Sequence, residues 1–309
     1  MSWKKLGMVF KVKEHNIDWI RSHAMLPTPI ILEDRIRVFY SARDINNNSR
    51  ICFFDLDKND VKKVIYVHKK PVISLGELGT FDDSGTLATC AVKVDNKKIY
   101  LYYNGYNKRV TVPYSNSIGV AVSEDNGFTF KRIFKGPIID RNNLEPYFTV
   151  GAFVLKEDDI WRMWYASAEK WILVNGKPES IYYIKYAESN DGLAWKRNNT
   201  LCIKPKTNDE ANARGTVLKE DNIYKMWFSY RGSYDFRDGY DSYSIGYAES
   251  KNGIDWERKD EEAGIKKGPE SYDNKMQAYP FVICIREKKY MFYNGNGFGI
   301  EGVCLAEWI

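Results

Sequence analysis

The chain is poor in residues that staple small proteins or bind metals. Its 309 residues include five cysteines, Cys52, Cys90, Cys202, Cys284 and Cys304. The number is odd, no Cys-x-x-Cys occurs, and the spacings fit neither a disulfide framework nor a zinc site. Several lie in apolar strand-like runs, where cysteine behaves as a small hydrophobe. There are three histidines. No run of eighteen apolar residues occurs, which excludes a hydrophobic spanning helix. The opening MSWKKLGMVFKV lacks the apolar core and cleavage pattern of a secretory leader, so a cytoplasmic location is expected. A clustered basic stripe is also missing. The 46 basic and 41 acidic residues are interspersed, with a net charge of +5, which argues against nucleic acid as a partner.

Aromatic residues are plentiful, at 15% with 22 Tyr and 9 Trp. With few long apolar periodic runs, that share favours β structure. It also suits a sugar-binding surface, because aromatic faces stack on the apolar C–H faces of pyranose rings. The length points to two domains or to one repeat architecture.

A repeat is present. IKYAESNDGLAWKRNN begins at Ile184 and IGYAESKNGIDWERKD at Ile245, while IGVAVSEDNGFTFKRI begins at Ile118. A degenerate copy starts at Ile51, and Val303 opens a truncated one; the starts lie 67, 66, 61 and 58 residues apart. Two further elements recur in step, an aromatic strand (RVFYSAR, YLYYNGY, RMWYASA, KMWFSYR, YMFYNGN) and a strand preceding it. Five units of three or four short strands predict an all-β fold, a single five-bladed β-propeller over 1–309. The approximate blades are 20–70, 82–136, 145–200, 208–262, and 273–309 plus 1–12. Trp3-Lys4-Lys5 resembles Trp256-Glu257-Arg258, so the N-terminal strand is expected to complete the last blade and close the ring, removing an exposed edge. Asn-Asp-Gly and Lys-Asn-Gly read as hairpin turns. Trp195 and Trp256 after them are read as packing between blades rather than as sugar platforms.

The innermost strands of a propeller line its channel. Aligning them on Ile31, Val92, Val154, Val217 and Val282 and stepping back with period two gives rings of side chains. One ring holds Thr28, Thr89, Gly151, Arg214 and Tyr279. The next holds Ala24, Gly85, Tyr147, Glu210 and Lys275, and the outermost Ser22, Asp83, Glu145, Asn208 and Asp273. Acids from four blades converge there. Paired carboxylates are what glycosidic-bond cleavage uses: one protonated to donate to the leaving oxygen, the other ionised to activate water or attack.

The repeat, FDDSG (Phe81 to Gly85) and the final YMFYNGNGFG resemble the five-bladed propeller glycosidases of the arabinanase, levansucrase and invertase-like superfamily. These include glycoside hydrolase families 43, 32 and 130, and the likeness is greatest to bacterial members associated with surface-polysaccharide genes. The resemblance implies a glycan-processing enzyme, a hydrolase or phosphorylase, with a carbohydrate substrate and with inorganic phosphate as a further candidate partner. It implies catalytic acids at Asp83, Glu145 and Glu210. Blade one departs, offering only Ser22 and His23 where the family has an Asp, which argues against a standard hydrolytic triad; it supports a non-catalytic binding propeller, and a phosphorylase needs few acids because phosphate itself attacks. Substrate-binding candidates are His23, Arg43, Asp44, Asn104, Tyr147, Glu169, Arg214, Arg231, Asp273, Lys275, Tyr279 and Asn294, with Tyr147 and Trp171 as platforms. No cofactor or catalytic metal is expected, although some relatives hold a calcium in the channel. A non-catalytic glycan-binding propeller and a glycosyltransferase of surface-polysaccharide biosynthesis remain alternatives.

Overall fold

The computed structural model describes residues 2–237 and 239–309. Each sequence copy supplies four strands. The first strands are Ser22–Ile31, Gly85–Lys93, Thr149–Glu157, Ala211–Glu220 and Ala278–Ile285. The second are Arg35–Arg43, Ile99–Lys108, Ile160–Val174, Ile223–Arg231 and Lys288–Asn294. The third are Ser49–Asp57, Tyr114–Ser123, Lys177–Ser189, Ser244–Ser250 and Gly302–Trp308. The fourth are Val64–Val67, Lys131–Arg132, Lys196–Leu201 and Glu257–Arg258, with Trp3–Lys11 serving the last copy. Within a copy the strands pair in that order, antiparallel. The result is three four-stranded sheets and one eight-stranded sheet, whose halves join by a lone parallel bridge between Ser49 and Gly85. As the Trp3 likeness predicts, the N-terminal strand pairs with Gly302–Trp308, Trp3 opposite Trp308.

The repeated turn sets how copies pack. Gly192 and Gly253 have φ of 75° and 77°, where a side chain is strained. Ser189 and Ser250 hydroxyls accept their N–H groups at 3.0 and 2.9 Å. The aromatic that follows the turn meets a ring of the preceding copy edge-on. Phe130 lies 5.5 Å from Phe39, Trp195 6.2 Å from Tyr102, Trp256 6.1 Å from Trp164 and Trp3 5.7 Å from Trp227. Each such pair adds about 0.5–1.5 kcal/mol beyond area burial.

The first strands share a bulge. Register slips fall between Met25 and Thr28, Ala88 and Cys90, Val150 and Phe153, Ala213 and Thr216, and Ala278 and Phe281. Leu26, Gly151, Arg214 and Tyr279 have φ of 56°, 72°, 55° and 58° there. A bulge leaves a backbone N–H unpaired, and in four of the five strands a side chain from the preceding copy takes it. Ser41 Oγ accepts from Ala88 N at 3.0 Å and Asn104 Oδ1 from Gly151 N at 2.8 Å. Ser229 Oγ accepts from Tyr279 N and Asn294 Oδ1 from Leu26 N, both at 2.8 Å. The bulges also shift the expected ring. Leu26 and Ala88, not Thr28 and Thr89, stand level with Gly151, Arg214 and Tyr279. Thr28 and Thr89 are instead fully buried, their hydroxyls donating to Leu26 O and Tyr102 O. Along the chain each first strand touches the next, and Ala278–Ile285 touches Ser22–Ile31.

Candidate functional site

The acids expected at the channel mouth form a repeating strut. Asp82, Glu145, Glu210 and Asp273 lie 63, 65 and 63 residues apart, just ahead of their first strands, and all are buried. Asp82 accepts from Tyr103 Oη at 3.0 Å and Arg132 Nε at 2.8 Å. Glu145 accepts from Tyr165 Oη at 2.9 Å and has Arg197 at 3.4 Å. Glu210 takes Arg258 at 2.6 Å, with Phe228 standing where the tyrosine would be. Asp273 takes Tyr293 Oη at 2.9 Å and Lys5 at 2.7 Å. In copies two to five an acid thus ties the second strand or the entry loop to a cation of the fourth strand, while copy one has no acid at this place. The member in copy two is Asp82, not Asp83. Burial pushes the Asp83 pKa upward, but bonds from Ser84, the Gly79 N–H and Asn107 outweigh it and hold the group below the ordinary carboxylate value.

A cleft of about 370 Å³ opens where the bulged strands meet. Its polar lining comes from Arg43, Asn104, Arg214, Arg231, Arg237 and Tyr279, joined by Tyr106, Tyr114, Tyr182 and Tyr243. Five of these were expected from sequence; Arg237 and the other tyrosines were not. A readable signal existed. Ser49, Asn116, Tyr182 and Tyr243 each stand two residues before the repeated Ile, on one strand face, and all four line the cleft. No Asp or Glu lines it among the described residues. The only carboxylate hydrogen-bonded to a lining side chain among them is Glu179, which accepts from Arg237 at 3.0 Å.

Three lining arginines, Arg43, Arg214 and Arg231, differ from the rest. Every other arginine that is not exposed has a carboxylate within 4 Å: Arg35 and Arg37 have Asp55, Arg50 has Asp44, Arg132 has Asp82, Arg162 has Glu157, Arg197 has Glu145, and Arg258 has Glu210. Among the described residues Arg43, Arg214 and Arg231 have none. Arg214, 1% exposed, crosses from copy four to donate to Pro27 O at 2.9 Å and Thr28 Oγ1 at 3.0 Å, and its Nε has no partner. Burial pushes its pKa down to about 10, so it remains a cation at neutral pH. Arg231, 3% exposed, donates to the Ser180 and Gly232 carbonyls at 2.9 and 2.8 Å and to the Tyr182 and Tyr243 hydroxyls at 3.3 Å. Its guanidinium stacks 3.8 Å from the centre of the Phe236 ring. The Tyr182 and Tyr243 hydroxyls also bond each other. Burial holds Tyr243, Tyr279 and Tyr114 above the ordinary phenol value, so these rings stay neutral and leave the arginine charge uncompensated. A buried charge without a counterion is costly.

The remaining expected residues lie outside the cleft. Asp44 caps its own turn, accepting from Asn46 N and Asn48 N at 3.0 and 2.9 Å. Glu169 pairs with Lys185 on the second and third strands of copy three. Lys275 is exposed, and its backbone N–H bonds Asn296. Asn294 is buried as an inter-copy stitch. Tyr147 and Trp171 line a separate groove with Lys108, Arg109 and Arg141; it meets the cleft at Tyr114 and Phe148. No cluster of three or more metal-ligating side chains occurs among the described residues.

His23 is buried beside the cleft, and desolvation and then repulsion from Arg43 push its pKa down to about 4. The unfolded chain therefore binds a proton that the folded chain refuses between about pH 6.5 and 4, so stability falls as the pH is lowered across that window. His23 has a φ of 69°, which Asn tolerates. His23→Asn is expected to flatten the pH dependence of the urea midpoint between pH 4 and 6.5, relative to the wild type.

No family model matches the chain. Among solved structures, one described as a glycoside hydrolase has a TM-score of 0.75 at 14% identity, covering 98% of this chain and 90% of that one. A thermostable family-43 glycoside hydrolase has a TM-score of 0.68 at 16% identity, covering 93% and 91%. A structure described with the family-130 mannoside phosphorylases and glycoside hydrolases that target β-1,2 mannosidic linkages in Candida mannan has a TM-score of 0.68 at 13% identity, covering 100% and 90%. These likenesses show the fold, that of the propeller glycoside hydrolases and phosphorylases which the repeat resembles. Two Mycobacterium tuberculosis proteins, named as uncharacterized proteins MT1551 and Rv1502, are each 34% identical over 308 residues, 99% of either chain. The chain belongs to the family of MT1551 and Rv1502.

Proposed function

We propose that this protein is a glycan-processing enzyme that acts on a glycosidic bond in the arginine–tyrosine cleft. We infer that the four-stranded groups are five blades, closed into a ring where Ala278–Ile285 meets Ser22–Ile31; the cleft is then the mouth of the channel. The observation that carries the reading is the lining itself, aromatic rings and forked hydrogen-bond donors with no carboxylate among the described residues, on a fold shared with glycoside hydrolases and phosphorylases.

That lining favours phosphorolysis over hydrolysis. A hydrolase needs two carboxyl groups flanking the bond. A phosphorolytic displacement needs no base, because the phosphate oxygen attacks C1 and the leaving oxygen takes a single proton. Arginine forks suit a phosphate oxyanion, and Glu179 is the carboxyl group one contact from the cleft. Glu145, Glu210 and Asp273 fall to the strut role, and Asp83 to the surface of copy two.

The test is incubation with a panel of oligosaccharides with and without inorganic phosphate. The expected result is phosphate-dependent consumption that releases a sugar 1-phosphate. Phosphate-independent release of reducing sugar would make it a hydrolase. Binding without consumption would make it a lectin-like propeller, and turnover only with a nucleotide-activated sugar a glycosyltransferase.

A further inference from the structure

The lining holds more positive charge than one small anion can engage. Arg43 comes from copy one and Arg214 and Arg231 from copy four, while Lys108, Arg109 and Arg141 line the adjoining groove from copies two and three. The groove, like the cleft, has no acidic lining residue among those described. The cleft and the groove are neighbours, since Tyr114 and Phe148 line both. Tyr147 and Trp171 offer aromatic faces along the groove, and Trp171 lies 5.2 Å edge-on to Tyr114 and 5.7 Å from Phe148. At the closed end sits Arg214, fully buried, with an unpartnered Nε.

We propose that the glycan is acidic: a chain of sugars bearing carboxylates, with one charged sugar held at Arg43, its neighbours running outward over Tyr147 and Trp171 past Arg109 and Arg141, and Arg214 and Arg231 left to the phosphate. This rests on the reading of the cleft as a glycan site and specifies its substrate class. An anionic chain supplies the missing counterions, and its repeating charge explains why cations continue beyond the cleft. Aromatic faces between the cations match the alternation of ring face and carboxylate along such a chain.

The test is calorimetric titration of the intact protein with tetragalacturonate and a hyaluronan tetrasaccharide, each beside its carboxyl-reduced counterpart, with monomeric galacturonate and glucuronate, and with inorganic phosphate alone. For at least one pair the acidic form is expected to bind about 10–100-fold more tightly, the loss expected for one or two charge-assisted hydrogen bonds. That preference should shrink with added salt. Arg109→Ala with Arg141→Ala should weaken the tetrasaccharide about tenfold and leave the monomeric uronate unchanged. Arg43→Ala, at a half-buried position, should weaken both. Equal binding of acidic and reduced forms, or a preference unaffected by these variants, overturns the proposal and leaves the glycan reading intact. Binding of phosphate with no uronate preference also overturns it, assigning the arginines to phosphate alone. Binding of neither saccharide nor phosphate removes both readings.

Discussion

Asp273→Ala is expected to cost about 3–5 kcal/mol of folding stability, the range for removing one partner of a buried ion pair. Its carboxylate is wholly buried and accepts from Lys5, Tyr293 and Gln277. Lys5 belongs to the N-terminal strand that completes the last sheet. Without Asp273 its ammonium keeps only the Gly268 carbonyl at 2.6 Å, and the N-terminal strand loses its ion pair to the entry loop. The loss should appear as a lower urea midpoint and as faster amide exchange in Trp3–Lys11 than in the second strands. Lys5→Met with Asp273→Leu should recover part of it, because replacing both partners leaves no orphaned charge. Unchanged stability of Asp273→Ala would remove the strut from the account.

Arg231→Met is expected to lower kcat/KM by about 10²–10³, the effect of deleting one pre-organised donor at a charged site. Arg231 is held rigid by two carbonyls, two phenols, the Ser233 hydroxyl and the Phe236 ring, so its charge and its remaining N–H are already in place when an anion arrives. Arg231→Lys should restore the charge but not the fork and stay well below the wild type. Glu145→Gln and Glu210→Gln should keep turnover per folded molecule within a few fold, while lowering the thermal midpoint. The opposite pattern, in which the acids abolish turnover and Arg231 does not, would return catalysis to the carboxylates.

The fold was legible because propeller strands are short, alternating and separated by Asn-Gly turns, and because the copies keep phase. Trp195 and Trp256 were legible as packing residues for the same reason. The register of the first strands was not. Alignment on Ile31 and Val92 assumes unbroken period-two strands, and the bulges near Leu26 and Ala88 break that period. The offset is two residues in copy one, from Thr28 to Leu26, and one in copy two, from Thr89 to Ala88, where it also exchanges the two faces of the strand. The same slip put Asp83 in a ring that belongs to Asp82. With Asp82 in place the acids recur at nearly constant spacing with their tyrosine and basic partners, and a group that recurs with the scaffold serves the scaffold. The residues that break the repeat are Arg43, Arg214, Arg231 and Tyr279 at the strand ends. Tyr182 and Tyr243 were hidden because they sit two residues upstream of the motif, where Ser49 and Asn116 occupy the other copies.

On the proposed reading the cleft arginines are held for a ligand and the strut arginines for the fold. The most direct measurement is the unfolding free energy of Arg214→Met beside Arg258→Met, from urea titration at neutral pH without ligand. Arg258→Met leaves Glu210 buried without its 2.6 Å partner and should cost about 3–5 kcal/mol. Arg214→Met removes a desolvated, uncompensated charge and keeps the apolar stem, so stability should be unchanged or higher, the signature of a residue kept for function. A loss on Arg214→Met as large as that on Arg258→Met would contradict the account, because both would then be parts of the scaffold.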